Sequence, residues 1–371
     1  MKHSRKPFPG LIPVLFAVLA LIVPASFLGA QGAQAAPAAG PFSLVDALGR
    51  TVSFPKPPVR IVLAGKAVVM LADAAYLFPE ASSRIAALGN TYQGEHSFAA
   101  EYDPAFSSKL SLDNQAGPEQ IAAANPDAVV LKSSLSSGLG KTIESLGIPV
   151  VYLDLETPQQ YERDLAILGI LFRNEARAKE LVALYRSKAD KIAKPLSGLS
   201  QAQKPRVLML YYTGQGGSVS FNVPPLGWIQ TTMVTLGGGI PAWKDAKLGQ
   251  GWTKVSVEQV AAWDPDMVFV ISYTIDPAEA AARLKADPQW AALRATRGGA
   301  IHPFPGDFYS WDQPDTRWPL GLAWMAKKMQ PAILAGLDLN AETRAFYRDF
   351  YAMDSQAFSR LVQPKLPLEI R

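Results

Sequence analysis

The sequence contains no cysteine among its 371 residues. Disulfide bonds, thiolate metal sites, cysteine nucleophiles and a lipid-modified N-terminal cysteine are therefore excluded. Histidine is nearly as scarce, with three residues, whereas sites that hold a bare zinc or manganese ion use several His and carboxylate ligands. We therefore expect no cofactor and no metal held by the protein alone.

Motifs that mark hydrolases and nucleotide-binding enzymes are also missing. The chain has no Gly-x-Ser-x-Gly elbow, no His-Glu-x-x-His helix and no phosphate-binding P-loop. Asp307 and Asp312 could form a carboxylate pair, but nothing in the pattern places them around a scissile bond. We expect no catalytic residue, and an exported enzyme remains the alternative class.

A strong excess of either charge is absent as well. The net charge is +4, from 36 Lys and Arg against 32 Asp and Glu, and removing the three basic residues of the N-terminal leader leaves +1. This balance gives no reason to expect nucleic-acid binding. Hydrophobic residues make up 49% of the chain, which is typical of a globular protein, and the length suggests two domains.

The N-terminal leader has the pattern of a secretory signal. A short basic head precedes an apolar stretch over 11–30, and the small residues Ala33 and Ala35 suit a signal peptidase. Pro13 and Pro24 interrupt the apolar stretch, and no basic cluster follows it, which argues against a membrane anchor. The pattern predicts a signal peptide over 1–35, and hence a periplasmic protein that is not a lipoprotein.

Short apolar runs recur along the mature chain, and each is followed by a turn and a helical pattern. Runs without polar alternation are typical of parallel strands that helices cover on both faces. They predict strands at 59–63, 128–131, 150–153, 207–210 and 267–271. The fold class that we expect is α/β, with two Rossmann-like lobes whose parallel sheets are joined by one long interdomain helix.

The joining helix is predicted over 158–194. Thr157 is a good N-cap, Pro158 suits the first helical position, and apolar residues recur at three- and four-residue steps. Unbroken, this helix would be about 55 Å long, and Asn174 is the place where it could break. The predicted organisation is then an N-terminal lobe over 36–157, the bridging helix, and a C-terminal lobe over 195–371.

A helix–turn–strand unit occurs twice, once in each predicted lobe. Glu119 and Gln120 begin a short helical pattern that leads to Pro126-Asp127 and a buried strand. The second copy, which starts at Glu258, leads to Pro265-Asp266 in the same way. Matching units in the two halves indicate a two-lobed molecule.

Together these features resemble the periplasmic binding proteins of ABC importers, in the group that handles iron–siderophores, haem, corrinoids and some metal ions or oxyanions. The resemblance is carried by the opening segments 44–52 and 57–62, by the two Glu-Gln units, and by the segments 251–256 and 308–315. It implies two lobes tied by one rigid helix, with the ligand in the cleft between them, and a monomer.

The resemblance also implies a partner. In matching members, one surface Glu on each lobe docks onto arginines of the membrane permease, which works with a cytoplasmic ATPase. The corresponding residues here are Glu119 and Glu258. A carboxylate pairs bidentately with a guanidinium group, so this assignment is chemically reasonable.

Candidate ligand-binding residues follow the predicted strands, because ligands of parallel α/β sheets bind outside the carboxyl ends. They are Lys66, Tyr92, His96, Lys132, Tyr211, Tyr212, Trp252, Tyr273, Tyr309, Trp311 and Arg317. The aromatic rings would stack on a bulky ligand, and the Lys and Arg side chains would neutralise an anionic chelate. We expect a ferric siderophore; haem or a corrinoid would use the rings more, and an oxyanion such as molybdate would suit the cations and hydroxyls.

Overall fold

The computed structural model describes residues 40–215 and 218–371. The predicted signal peptide lies outside these described residues. The strands are β1 Phe42–Val45, β2 Thr51–Phe54, β3 Ile61–Leu63, β4 Ile85–Leu88, β5 Leu110–Ser111, β6 Ala128–Lys132, β7 Val150–Leu153, β8 Arg206–Gln215, β9 Ser218–Val223, β10 Ile240–Pro241, β11 Thr253–Val255, β12 Met267–Ile271 and β13 Ile301–Pro303.

Helices cover these strands and include both long and very short segments. They are α1 Val68–Ala75, α2 Ala81–Arg84, α3 Phe98–Tyr102, α4 Pro118–Ala123, α5 Lys141–Ser145, α6 Pro158–Phe172, α7 Glu175–Leu196, α8 Ile229–Leu236, α9 Val257–Trp263, α10 Pro277–Ala286, α11 Pro288–Ala291, α12 Arg294–Arg297, α13 Trp318–Met329, α14 Leu339–Tyr351 and α15 Ser355–Leu361. Within the described part of the chain, no helix has both the length and the apolar character needed to cross a bilayer.

The first half of the molecule is built on a five-stranded sheet in the order β5-β4-β3-β6-β7. All four strand pairs are parallel. Strands β3 and β6 in the interior of the sheet and β7 at its edge are buried along their whole length, as expected for apolar strands with helices on both faces. The antiparallel hairpin β1–β2 precedes this sheet.

The second half contains a sheet in the order β11-β9-β8-β12-β13, with β10 paired to β8. Strands β8, β12 and β13 are parallel, as predicted, whereas β9 and β11 run antiparallel to their neighbours. Strands β8 and β9 pair antiparallel from Tyr211 opposite Asn222 to Gln215 opposite Ser218. The expected α/β class with two sheets is confirmed, and its second sheet is mixed.

The stretch predicted as one helix over 158–194 consists of two helices. Arg173 adopts a left-handed backbone conformation and Asn174 caps α7, so the helix ends at Phe172 and a new one starts. The chain then reverses: Arg186 pairs with Glu162 at 2.5 Å, although an unbroken helix would hold these residues about 36 Å apart.

The second of these helices, α7, is the long one that contacts both halves. Arg177 donates hydrogen bonds to the carbonyl oxygen of Leu77 in the first half and to that of Phe350 in the second. Further along α7, the hydroxyl of Tyr185 donates to the carbonyl oxygen of Thr316. One long connecting helix is therefore present, but it begins at Glu175 rather than at Pro158.

The repeated unit forms the same structure in both halves. In each copy a short helix, α4 or α9, leads through a turn into a central strand, β6 or β12. Asn125 and Asp264 occupy equivalent positions in the two turns, and both adopt positive φ, at 50° and 43°. A left-handed residue at this point is a common way to end a helix.

The hydrogen bonds at these turns are also repeated. Asp127 accepts a hydrogen bond from the backbone N–H of Arg60 at 3.1 Å, and the Arg60 guanidinium donates to the carbonyl oxygen of Asn125. In the second half, Asp266 accepts from the N–H of Arg206 at 2.7 Å, and the Arg206 guanidinium donates to the carbonyl oxygen of Trp263. The two halves thus share one construction at the amino ends of their strands.

A close approach between α13 and the preceding loop depends on a glycine. A Cβ added at Gly321 would collide with the carbonyl oxygen of Trp311 and lie 3.0 Å from its carbonyl carbon. Backbone atoms cannot yield as the end of a side chain can. We expect Gly321→Ala to lower the free energy of unfolding by about 1–3 kcal/mol in urea denaturation. Gly336→Ala, where a Cβ would meet no atom within 4 Å, should leave stability nearly unchanged.

Candidate functional site

Two of the three predicted cations and one predicted aromatic residue lie at the carboxyl ends of the first sheet. Lys66 follows β3 and is exposed, and Tyr92 follows β4 with 51% of its surface exposed. Tyr92 lines a cavity of about 550 Å³ beside this edge. Lys132, at the end of β6, is buried, and its amine pairs with the Glu156 carboxylate at 2.6 Å. Its positive charge is therefore already balanced.

At the facing end of the second sheet, four rings form a continuous aromatic row: Trp228, Trp252, Tyr211 and Tyr273. The successive ring centroids are 5.8, 4.9 and 4.8 Å apart. All four side chains are half-buried, so part of each ring is accessible. Spacings of this size give favourable aromatic contacts and leave ring surface on which a flat or bulky ligand can stack.

A buried carboxylate holds one end of the aromatic row. The Tyr273 hydroxyl donates to Asp312 at 2.6 Å, and Asp312 also accepts from the Ser310 hydroxyl at 2.6 Å and from the Gln230 amide at 3.4 Å. Burial raises the pKa of Asp312 to about 6, although these hydrogen bonds oppose the rise. Burial and the Asp312 charge together raise the pKa of Tyr273, which keeps its phenol protonated.

A cavity of about 820 Å³ adjoins the aromatic row and is lined by residues from both halves. Three predicted residues meet there, namely His96 from the first half with Tyr273 and Tyr309 from the second. His96 is half-exposed, with its imidazole 4.0 Å from Glu101. Among residues 40–215 and 218–371, no three His, Asp or Glu side chains come together as a metal-binding group.

Tyr309 joins the two halves of the molecule. Its hydroxyl donates to the carbonyl oxygen of Thr91 at 2.7 Å and accepts from the backbone N–H of Phe98 at 2.9 Å. The side chain is almost completely buried, and burial raises its pKa above the ordinary value. Tyr309 therefore lies at the end of the cavity, and its hydroxyl is already engaged by backbone groups of the first half.

Two further predicted ligand contacts, Tyr212 and Trp311, are also buried, and we revise their roles. Tyr212 follows Tyr211 in β8, and because side chains alternate along a strand, it points to the opposite face of the sheet. It packs there against Phe221 at a centroid distance of 6.1 Å. Trp311 is fully buried, and its indole donates to Asp307 at 3.1 Å. Both residues support the walls of the site rather than line it.

Arg317 is also fully buried and needs a revised role. Its guanidinium contacts Asp73 of α1, lies 2.8 Å from Asp307 and lies 3.6 Å from Asp315. All three carboxylates are themselves buried. Burial raises the pKa of Asp73 to about 6, against the opposing effect of Arg317. With three carboxylates around it, Arg317 ties the two halves together and has no charge to spare for an anionic ligand.

The two predicted docking residues lie on the outside of the molecule. Glu119 is in the first turn of α4 and Glu258 in the first turn of α9, and both are exposed. They occupy equivalent positions in the repeated unit. Each half therefore offers one carboxylate at the same place in its structure.

Sequence reasoning missed two contributors to the site, Trp228 and Gln230. Trp228 extends the aromatic row, and Gln230 reaches Asp312 from α8. The usable signal was the turn Pro224-Pro225-Leu226-Gly227, which places the next residues at the start of a helix beside the strand ends.

Comparison with known proteins agrees with this architecture. A family profile described as periplasmic binding protein matches residues 89–305, which is more than half of the chain. Among curated proteins, the molybdate-binding protein MolA of Haemophilus influenzae is 22% identical over 263 residues, which cover 64% of this chain and 70% of MolA.

Several solved structures have the same fold. A periplasmic solute-binding protein of Veillonella parvula is 23% identical, with a TM-score of 0.69 over 87% of this chain and 97% of that one. MolA bound to molybdate is 19% identical, with a TM-score of 0.68 over 84% and 98%. CeuE of Helicobacter pylori, solved with Ni(II) bound, is 16% identical, with a TM-score of 0.70 over 86% and 99%.

Proposed function

Because this chain belongs to the periplasmic binding protein family, we propose that it is the solute-binding component of an ABC importer that captures a metal chelate. The chelate, a ferric siderophore in the first instance, binds in the cleft between the carboxyl ends of the two sheets. The protein then delivers it unchanged to a permease in the inner membrane, which works with a cytoplasmic ATPase. The working form is a periplasmic monomer, produced by removal of the signal peptide.

The aromatic row is the observation that carries the chelate assignment. Four half-buried rings in contact offer a broad apolar surface, which suits a ligand with flat or bulky faces. Two of the three cations expected in the cleft, Lys132 and Arg317, are buried and paired with carboxylates. A small oxyanion needs unpaired donors more than it needs rings, so the arrangement favours the larger, chelated ligand.

Molybdate is the second candidate, because the curated relative MolA is named for binding it. The exposed amine of Lys66 and the hydroxyls near the cleft could serve an oxyanion. Mass spectrometry of the small molecules that co-purify with the protein, together with metal analysis, distinguishes the two. A ferric chelate in stoichiometric amount supports the proposal. Molybdenum without an organic chelator contradicts it.

Replacing one ring of the aromatic row tests the binding surface. We expect Trp252→Ala to weaken binding of a ferric siderophore about tenfold, because Trp252 contacts the rings on both sides of it. Binding is measured by quenching of the intrinsic tryptophan fluorescence or by calorimetry. The matched control is Trp263→Ala at the opposite edge of the sheet, where α9 ends before β12. Equal affinities for the two variants would place the ligand elsewhere.

A further inference from the structure

Asp312 is a buried carboxylate whose contacts are all neutral. Its side chain is completely inaccessible to solvent, and its hydrogen-bond donors are the Ser310 and Tyr273 hydroxyls and the Gln230 amide. Within the part of the chain that the structure describes, no Lys, Arg or His pairs with it. A buried carboxylate is normally paired with a cation. When ionised, Asp312 therefore leaves an uncompensated negative charge beside the aromatic row.

The same end of the site has further negative character. The faces of aromatic rings carry partial negative charge, and they attract cations and repel anions. Tyr273 donates its hydroxyl proton to Asp312, so this proton is not available to an anionic ligand. The oxygen of Gln230 is buried without a hydrogen-bond partner among the described residues. The aromatic row, the Asp312 carboxylate and the Gln230 amide oxygen together form an electron-rich surface, called the wall below.

Positive charge that could offset this wall is engaged elsewhere. The Lys132 amine lies 2.6 Å from Glu156, and Arg317 is surrounded by Asp73, Asp307 and Asp315. Lys66 is exposed at the edge of the first sheet, not on the wall. Lys328 and Lys365 line the cavity that Tyr273 borders, but each pairs with a glutamate at 2.8 Å, Glu369 and Glu101 respectively. Asp312 is therefore the charged group in direct contact with the aromatic row that has no charged partner among the described residues.

We infer that Asp312 is a specificity-determining residue, which makes the aromatic row select metal chelates of zero or positive net charge over polyanionic chelates and oxyanions. This inference rests on the proposed function and narrows it. Ferric tris-hydroxamate complexes, which are neutral or cationic, belong to the favoured class. Ferric tris-catecholate complexes, which carry several negative charges, and molybdate belong to the disfavoured class.

The affinity for a cationic chelate should depend on pH through the charge of Asp312. The groups that face Asp312 are Tyr273 from the end of β12, Gln230 from α8 and Ser310 from its own loop, with Tyr211 of β8 behind Tyr273. None of them changes its charge between pH 5 and 8, whereas burial raises the pKa of Asp312 to about 6, within this range. Affinity for a cationic chelate should rise as the pH increases through this range, because Asp312 gains its charge.

The test compares a cationic ferric tris-hydroxamate with a ferric tris-catecholate, using fluorescence quenching at pH 5 and pH 7.5. We expect the wild-type protein to prefer the cationic complex. Asp312→Asn should weaken its binding about tenfold at pH 7.5 and abolish the pH dependence. Asp190→Asn, on the exposed surface of α7, is the matched control. It should change neither the affinity for the cationic complex nor the pH dependence of that affinity.

A second variant, Tyr273→Phe, is used in case Asp312→Asn does not fold. It keeps the aromatic ring and removes only the hydroxyl group. Loss of the hydroxyl donor removes a hydrogen bond that lowers the pKa of Asp312, so the inflection should move to higher pH. An unchanged inflection in Tyr273→Phe, or a wild-type preference for the tris-catecholate, overturns the inference and leaves the proposed function standing. Binding of molybdate and of neither chelate contradicts the proposed function itself.

Discussion

Replacing Arg317 by methionine is expected to lower the free energy of unfolding by about 3–5 kcal/mol. The guanidinium is the only positive group in contact with Asp73, Asp307 and Asp315 among the described residues, and all four side chains are buried. Methionine keeps much of the volume but leaves the carboxylates without a counter-charge. Urea denaturation at neutral pH measures the loss.

The loss of unfolding free energy in Arg317→Met should depend on pH. Burial already raises the pKa of Asp73 to about 6 and that of Asp315 well above its ordinary value, and loss of Arg317 raises both further. An acid whose pKa is higher in the folded than in the unfolded state is stabilising when protonated, and this contribution is lost as the pH rises through the folded pKa. The variant should therefore be less impaired at pH 5 than at pH 8.

A surface arginine provides the control for this experiment. Arg294 pairs with Asp264 and Asp266, and about half of its side chain is exposed, at 51%. Because exposed ion pairs contribute little, Arg294→Met should lower the free energy of unfolding far less than Arg317→Met does. If Arg317→Met were no less stable than Arg294→Met, the view that Arg317 ties the two halves together would be wrong.

The second large effect is expected in transport. Glu119→Ala combined with Glu258→Ala should reduce uptake by at least about 30-fold. If each carboxylate docks onto a permease arginine as we expect, its removal leaves that arginine unpaired at the interface. Ligand affinity of the purified double variant should be unchanged, since both residues are exposed on the outer first turns of α4 and α9. Uptake of labelled chelate into cells and calorimetry on the purified protein measure the two quantities.

The matched control replaces two other exposed glutamates in first helical turns. Glu175 of α7 and Glu279 of α10 have this position, so Glu175→Ala with Glu279→Ala makes the same chemical change outside the repeated unit. Transport should then stay near the wild-type level. Equal uptake in the two double variants would contradict the assignment of Glu119 and Glu258 as docking residues.

The sequence predicts secondary structure well wherever local signals are strong. The apolar runs at 150–153 and 267–271 coincide with strands β7 and β12, because continuous apolar residues between turns have few other stable arrangements. Thr157 and Pro158 correctly mark a helix start. The reversal at Arg173 was harder to predict, because the apolar stripe continues on the far side of the break and only Asn174 signals it.

The candidate site was less predictable, because its chemistry depends on partners that are distant in sequence. Arg317 and Lys132 were expected to face a ligand because they are basic, but Asp73 lies far earlier in the chain than Arg317, and Glu156 neutralises Lys132. Tyr211 and Tyr212 were predicted together, although neighbours in a strand point to opposite faces. Composition shows which charges exist; only the fold shows which of them are already balanced.

The repeated turns suggest how this protein could acquire new ligands. At the amino ends of β6 and β12, Asp127 and Asp266 hold the preceding chain through the same hydrogen bonds. At the carboxyl ends the two copies differ, with buried Lys132 as the last residue of β6 and the aromatic Tyr273 two residues after β12. Residues at the carboxyl ends can therefore change, and with them the ligand, while the turns at the amino ends keep the framework of the protein unchanged.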